Sequence, residues 1–263
     1  MPKKFLNVLL PAALGAVVVA VWFAVHLSLS PDFRFLLPTP TAIAQAAWDN
    51  AGTLAHAALN TAEGGLLGFG LAVIVSFALS LLLSLSPVVR ASLYPYLMAL
   101  QMTPLPVLAP ICVIWFGGGL KSVSLLTFVI AFCPLVVNTT QGLISVDRHL
   151  VELFRMYRAS PMQQLFLLRV PAALPQFFTG LRIAATIAPV GAVVAEMNAG
   201  SSAGDGGGLG FLVIIYSSMA KYPALFATAA VTCLLGFILS AGVLTLSWLA
   251  LHKWHDSYDR PDK

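Results

Sequence analysis

Charge is scarce in this chain. Of its 263 residues only 9% are Asp, Glu, Lys or Arg, 59% are hydrophobic, and the mean hydropathy is +0.90. A composition of this kind excludes an ordinary soluble domain. Cysteine is almost missing as well. Cys112, Cys133 and Cys233 form no CxxC pair and fall inside apolar runs, so they read as small buried side chains and no disulfide framework is expected. There is no GxxxxGK[ST], hence no phosphate-binding loop for ATP in this chain. No apolar run carries the acidic residues or histidines of a proton relay. His26, inside the first run, has no partner in the pattern, which argues against a membrane-embedded hydrolase. The stretch 200–204 spells G-x-S-x-G, but it follows a membrane span rather than a strand, so it reads as a linker and not as a nucleophile elbow. His252 and His255 are too few for a zinc site, which wants three or four convergent ligands, and no metal is expected.

What fills the chain instead is long apolar runs. Several exceed 19 residues without a charge, as a bilayer-spanning helix requires. Six spans are expected, at roughly 5–27, 64–84, 94–116, 122–144, 177–197 and 224–251. The fold class is therefore an all-α membrane protein of about six transmembrane helices. The amino terminus imitates a signal peptide, but its apolar run is too long for an h-region and reads as a retained first span. The basic residues set the orientation. With Lys3 and Lys4 inside, the inner segments hold ten Lys and Arg residues, and the outer ones hold only Arg34, Lys121 and Lys221. That asymmetry puts both termini in the cytoplasm. The net charge of +4 is spread by loop rather than gathered on one face, so membrane lipid and no nucleic acid is the expected partner of this surface.

The one sizeable charged segment between the runs is 147–175, which holds four of the eight arginines. Asp147 is positioned to cap a helix over about 148–159, with Leu150, Leu153, Phe154 and Tyr157 on one face. Arg148, Glu152 and Arg155 share the opposite face, with the carboxylate between two guanidiniums. Ser160-Pro161-Met162-Gln163 restarts a helix as a capping box with proline in its first turn. Pro171 and Pro175 are expected to close the unit. A helix pair between the fourth and fifth spans, apolar on one side and charged on the other, is suited to meeting another protein.

Prolines also mark the spans. Leu37-Pro38-Thr39-Pro40 favours extended backbone ahead of a short helix near 41–48. Pro104, Pro106 and Pro110 interrupt the third span, and Pro134 and Pro189 are expected to break the fourth and fifth in the same way. Broken helices meeting at one depth point to a translocation pathway. Pro104 and the polar residues Gln101, Thr103, Asn138 and Thr186 are its candidate lining. Gly64 and Gly68 form a GxxxG for close packing within the chain. Arg182, about 9 Å past the cytoplasmic boundary of its span, is expected to snorkel back to it.

The segment 147–175 resembles the cytoplasmic coupling loop of ATP-binding cassette (ABC) importer permeases. Their pattern is Glu-Ala-Ala, three residues, Gly, nine residues, Ile-x-Leu-Pro. Glu152 matches the Glu, Leu153 and Phe154 replace the alanines, Arg158 stands at the Gly, Leu168 and Val170 replace Ile and Leu, and Pro171 matches the Pro, without a gap. If the glycine position needs a positive φ, Arg158 costs about 1–2 kcal/mol there. The Pro-x-Pro run and Trp115-Phe116-Gly117-Gly118-Gly119 resemble the branch handling sulfonates, taurine and nitrate, which also covers vitamin precursors such as pyrimidines and riboflavin.

The resemblance spans 38–257, leaving 1–37 as an added helix with the start of an outer loop and 258–263 as a tail. It implies a transporter subunit of a bacterial cytoplasmic membrane, not an enzyme. Its partners would be a second copy of itself, a cytoplasmic ATP-binding subunit that carries ATP and Mg, and an extracytoplasmic solute-binding protein. It implies that Glu152, Arg155, Tyr157, Arg158, Ala159, Ser160 and Pro161 couple to the ATPase. It also implies a gate at Glu196, which precedes the loop ending Gly208-Leu209-Gly210. The alternative is a carrier driven by an ion gradient, which would need a charged cluster at mid-membrane that the spans scarcely offer.

Overall fold

A computed structural model describes residues 3–199 and 207–251, and all regular structure within them is helical. The G-x-S-x-G stretch and the histidines and Trp254 of the tail lie outside the described residues. Helix α1 (Lys3–Ser28) is followed by a 3-10 turn at Pro31–Leu36, α2 (Pro40–Asp49), α3 (Ala51–Leu85), α4 (Pro87–Met102) and α5 (Leu105–Phe116). Then come α6 (Leu120–Ile144), α7 (Arg148–Met156), α8 (Pro161–Gln164), a π-helical turn at Leu165–Arg169, α9 (Val170–Ala199), α10 (Leu209–Ser218) and α11 (Tyr222–Leu251). Four units are long and apolar enough to cross a membrane: α3, α6, the continuous helix Pro161–Ala199, and α11. The pair α4–α5, bent by 97°, makes a fifth if it counts as one span, and the apolar stretch Ala13–Ser28 of α1 is shorter than a span, so four or five spans stand among the described residues where six are expected.

The centre is the pair α6–α9 with α3 laid against both. Inside a bilayer no hydrophobic gain separates helix from lipid, so association depends on close packing, and the sequence supplies small residues for it. Ala184, Ala188, Ala192 and Ala195 run as a fully buried stripe down α9. On α3 a Cβ at Gly68 would collide with the Ser124 carbonyl and lie 2.7 Å from Thr127 Cβ of α6, so the GxxxG packs within the chain. Ser80 Oγ of α3 donates to the Val136 carbonyl of α6 at 3.2 Å. Helix α1 is tied in at its far end. Trp22 Nε1 donates to the Pro38 carbonyl, and His26 Nδ1 donates to the Leu37 carbonyl at 2.6 Å, which gives the intramembrane histidine a backbone partner.

Four expectations need correction. Helix α3 begins at Ala51, not near Gly64, because the Ala- and Leu-rich stretch before Gly64 is a strong helix former whose His56, Asn60 and Glu63 disguise only its membrane character. The third span breaks once, at Thr103 and Pro104, both extended at ψ near +124° and +123°. Pro104 and Pro106 remove two donors within one turn and push the preceding residue out of the helical region. By contrast Pro110, Pro134 and Pro189 sit inside unbroken helices. Pro171 and Pro175 do not close the charged segment either. The helix runs from Pro161 through both, and the π turn, in which Val170 N donates to Leu165 O, absorbs the misfit just before Pro171.

Candidate functional site

The charged segment folds as two capped pieces. Asp147 accepts from His149 N at 2.9 Å and starts α7. Glu152 pairs with Arg148 at 3.0 Å, and among the described residues Arg155 makes no ion pair, so the carboxylate is held by one guanidinium rather than two. Helix α7 stops at Met156, three residues earlier than its pattern suggests, and the reason is the turn that follows. Arg158 N donates to Arg155 O and Ala159 N to Phe154 O, the paired bonds of a Schellman motif. Arg158 sits at its left-handed position with φ of 52°. The position the resemblance reserves for glycine therefore does need a positive φ, and this chain fills it with arginine. Ser160 and Gln163 then form the complete capping box, with Pro161 opening α8.

No residue of α7 is buried, and Leu150, Leu153, Met156 and Tyr157 are all exposed, the last two by more than four-fifths. The apolar tip at Met156 and Tyr157 is thus left bare beside arginines. At its other end the unit is anchored. Arg169 Nη1 donates to the Ser84 carbonyl at 3.0 Å in the last turn of α3, which links the unit to a second span.

Of the pathway candidates, Gln101 and Thr103 come together. They line a cavity of about 260 Å³ at the α4–α5 break, closed by Ile130, Cys133 and Pro134 of α6 and Ile187 of α9. Pro104 forms the break itself and is exposed. Asn138 instead donates along its own helix to Pro134 O, and Thr186 bonds Arg182 O and faces Ser240 of α11 at 3.4 Å. Arg182 turns to α11 too, donating to the buried Ser247 Oγ at 3.2 Å.

Glu196 stands apart from that cavity, near the C-terminal end of α9 beside α3 and the start of α10, and is 5% exposed. Its Oε2 accepts from Gly210 N at 2.8 Å and from Thr61 Oγ1 at 2.9 Å, while Thr61 Oγ1 accepts from Leu209 N at 2.8 Å. Two of the unpaired N–H groups that open α10 are thus capped by side chains of two other helices. Asn60 Nδ2 adds a bond to Gly207 O. The glycines make room, since a Cβ at Gly208 would overlap the Glu196 carboxylate and one at Gly210 the Val193 carbonyl. Sequence reasoning found Glu196 and the glycines but missed Thr61, which lies 135 residues away with only its polarity ahead of Gly64 to mark it.

A helical membrane bundle with a broken span and a capped, exposed helix pair fits a transport subunit. Comparison with known proteins agrees. Residues 64–256 match the family described as binding-protein-dependent transport system inner membrane component, and the chain belongs to that family, the permeases of ABC importers. It is 31% identical over 253 residues to a probable ABC transporter permease protein of Haemophilus influenzae, covering 95% of this chain and 98% of that one. It is 34% identical over 218 residues (82% and 85%) to the formylaminopyrimidine transport permease protein ThiX of Halalkalibacterium halodurans. It is 30% identical over 252 residues (94% and 87%) to the putative aliphatic sulfonates transport permease protein SsuC of Bacillus subtilis. These relatives favour the importer over the ion-driven carrier.

Proposed function

We propose that this permease takes a small anionic or heteroaromatic solute, a sulfonate or a pyrimidine-type vitamin precursor, from an external binding protein and works as a homodimer coupled through α7 and α8 to a separate ATPase. The observation that carries the coupling is the bare tip at Met156 and Tyr157, set between capped turns and tied to α3 through Arg169. ATP-driven closure of the ATPase pair would press on this tip. The rigid helix Pro161–Ala199 would carry the movement to the outer clasp at Glu196, which would act as the gate. The solute relatives' names support the substrate classes, and the cavity beside Gln101 and Thr103 supports a path along the α4–α5 break.

The test is uptake into proteoliposomes holding the permease with its ATPase and binding protein, screened with sulfonates and aminopyrimidines. Accumulation that requires enclosed ATP supports the reading. Accumulation driven by an ion gradient without ATP overturns it.

A further inference from the structure

The backbone break between α4 and α5 leaves acceptors without donors. Thr103 and Pro104 are both extended, so Leu105 N cannot turn back to Gln101 O as it would in a continuous helix. Met102 O would take its bond from residue 106, which is a proline and has no N–H. Thr103 O accepts no bond either, because Val107 N and Leu108 N both turn to Pro104 O. Thr103 directs its own N–H to Leu100 O and its hydroxyl to Ala99 O. Three consecutive carbonyls, those of Gln101, Met102 and Thr103, are therefore unpaired among the described residues. Within a span such groups persist only where protein buries them with partners or where they border a polar cavity.

The cavity of about 260 Å³ lies at this break, and Leu100, Gln101, Thr103 and Leu105 line it from both sides. The Gln101 side chain is exposed and makes no hydrogen bond among the described residues, so its amide can both donate and accept. None of the lining residues is charged. Arg182, the cation on α9, is engaged with Ser247 of α11 instead. A helix N-terminus can hold an anion on its free N–H groups, and α5 begins at this cavity. Here, however, Pro104 and Pro106 remove two of those groups and Val107 N is bonded to Pro104 O, so Leu105 N is the backbone donor that remains. Acceptors outnumber donors at the break, and no cation offsets them.

We infer that this cavity selects between the two solute classes proposed above, taking an uncharged heteroaromatic ring that bears N–H groups and rejecting a sulfonate. The inference rests on the importer reading for the cavity's place on the path, and narrows that reading to one class. An aminopyrimidine brings amine N–H groups to the carbonyls at the break, ring nitrogens to the Gln101 amide, and flat ring faces to the apolar walls at Ile130 and Ile187. A sulfonate brings acceptors only, and a full negative charge. The carbonyl dipoles oppose it, Leu105 N and Gln101 are too few donors for it, and a charge taken from water without a partner is costly. The cavity is close to the roughly 300 Å³ at which small-molecule pockets begin, which suits a single ring.

The experiment uses the full chain, purified in neutral detergent with the subunits that accompany it but without a binding protein. Equilibrium dialysis measures binding of tritiated 4-amino-2-methylpyrimidine. Pyrimidine, which keeps the ring nitrogens but has no N–H, and ethanesulfonate are the competitors. The aminopyrimidine should bind, and neither competitor should displace it at about tenfold higher concentration. Gln101→Leu should weaken binding about fivefold, the loss of one neutral hydrogen bond. Gln101→Arg supplies the missing cation and should bring ethanesulfonate into competition. The exposed Gln101 side chain holds no other residue, so both variants should fold. No aminopyrimidine binding to the wild type, displacement by equal ethanesulfonate, or affinities unchanged in both variants overturns the inference. The ATP-loaded proteoliposomes keep the two readings apart. ATP-driven uptake of a sulfonate without aminopyrimidine binding sinks the selectivity and leaves the importer standing, whereas aminopyrimidine binding without ATP-driven uptake does the reverse.

Discussion

Glu196 and Thr61 are joined by a hydrogen bond of 2.9 Å across 135 residues of chain, and together they cap a helix that belongs to neither of their own. The bond fastens α3, α9 and the start of α10 at one point. The clasp lies near the end of α9, far along that helix from α7 and α8. Because both side chains are buried, removing either one strands a backbone N–H at the start of α10, Leu209 N or Gly210 N.

Thr61→Val should therefore cost about 1–3 kcal/mol of stability, by stranding Leu209 N, while Glu196 Oε2 keeps its bond from Gly210 N. Thr61→Ser, which keeps the hydroxyl, should cost much less. Thermal unfolding in detergent followed by size-exclusion fluorescence checks both. Equal melting of the valine and serine variants would mean that the hydroxyl contributes nothing.

Arg158→Gly should stabilise the turn by about 1 kcal/mol, since a side chain at φ of 52° is strained and glycine is not. Arg158→Ala keeps the Cβ and should give no such gain. Transport should survive the glycine substitution. Its complete loss would show that the guanidinium itself contacts the partner.

Glu152→Arg should leave stability almost unchanged, because the exposed pair with Arg148 contributes less than about 1 kcal/mol. The same change puts a third cation beside Arg148 and Arg155 and should weaken ATPase association. Unaltered association would reduce Glu152 to an ordinary surface residue.

Two glycines of α3 make a paired test of helix packing. Gly68→Val drives a side chain into the Ser124 carbonyl and Thr127 and should abolish folded protein, a loss of more than about 3 kcal/mol. Gly70→Ala meets nothing within 4 Å and should be neutral or slightly stabilising. Membrane-fraction yield and monodispersity report both.

Much of this was legible in the chain, because apolar length and cap chemistry are local signals. Ser160, Pro161 and Gln163 named their own capping box, and the proline run at 37–40 placed a short helix next to it, which α2 is. The prolines were harder. Their effect depends on what packs around them, so Pro134 and Pro189 are absorbed while Pro104 breaks its helix. The link from Arg169 to Ser84 and the role of Thr61 are contacts across 85 and 135 residues, set by how α3 lies on α9. Spacing along a sequence carries no trace of such a crossing.

The central claim is that α7 and α8 hold a separate ATPase. The most direct measurement is gentle purification of the tagged chain from its native host, as wild type and as Tyr157→Asp, with mass spectrometry of what accompanies each. The exposed Tyr157 supports no core, so the variant should fold. The account predicts an ATP-binding subunit in equal amount with the wild-type permease and its loss from the variant. An ATP-binding subunit retained equally by both, or a wild-type chain recovered alone and still moving solute without ATP, would contradict it.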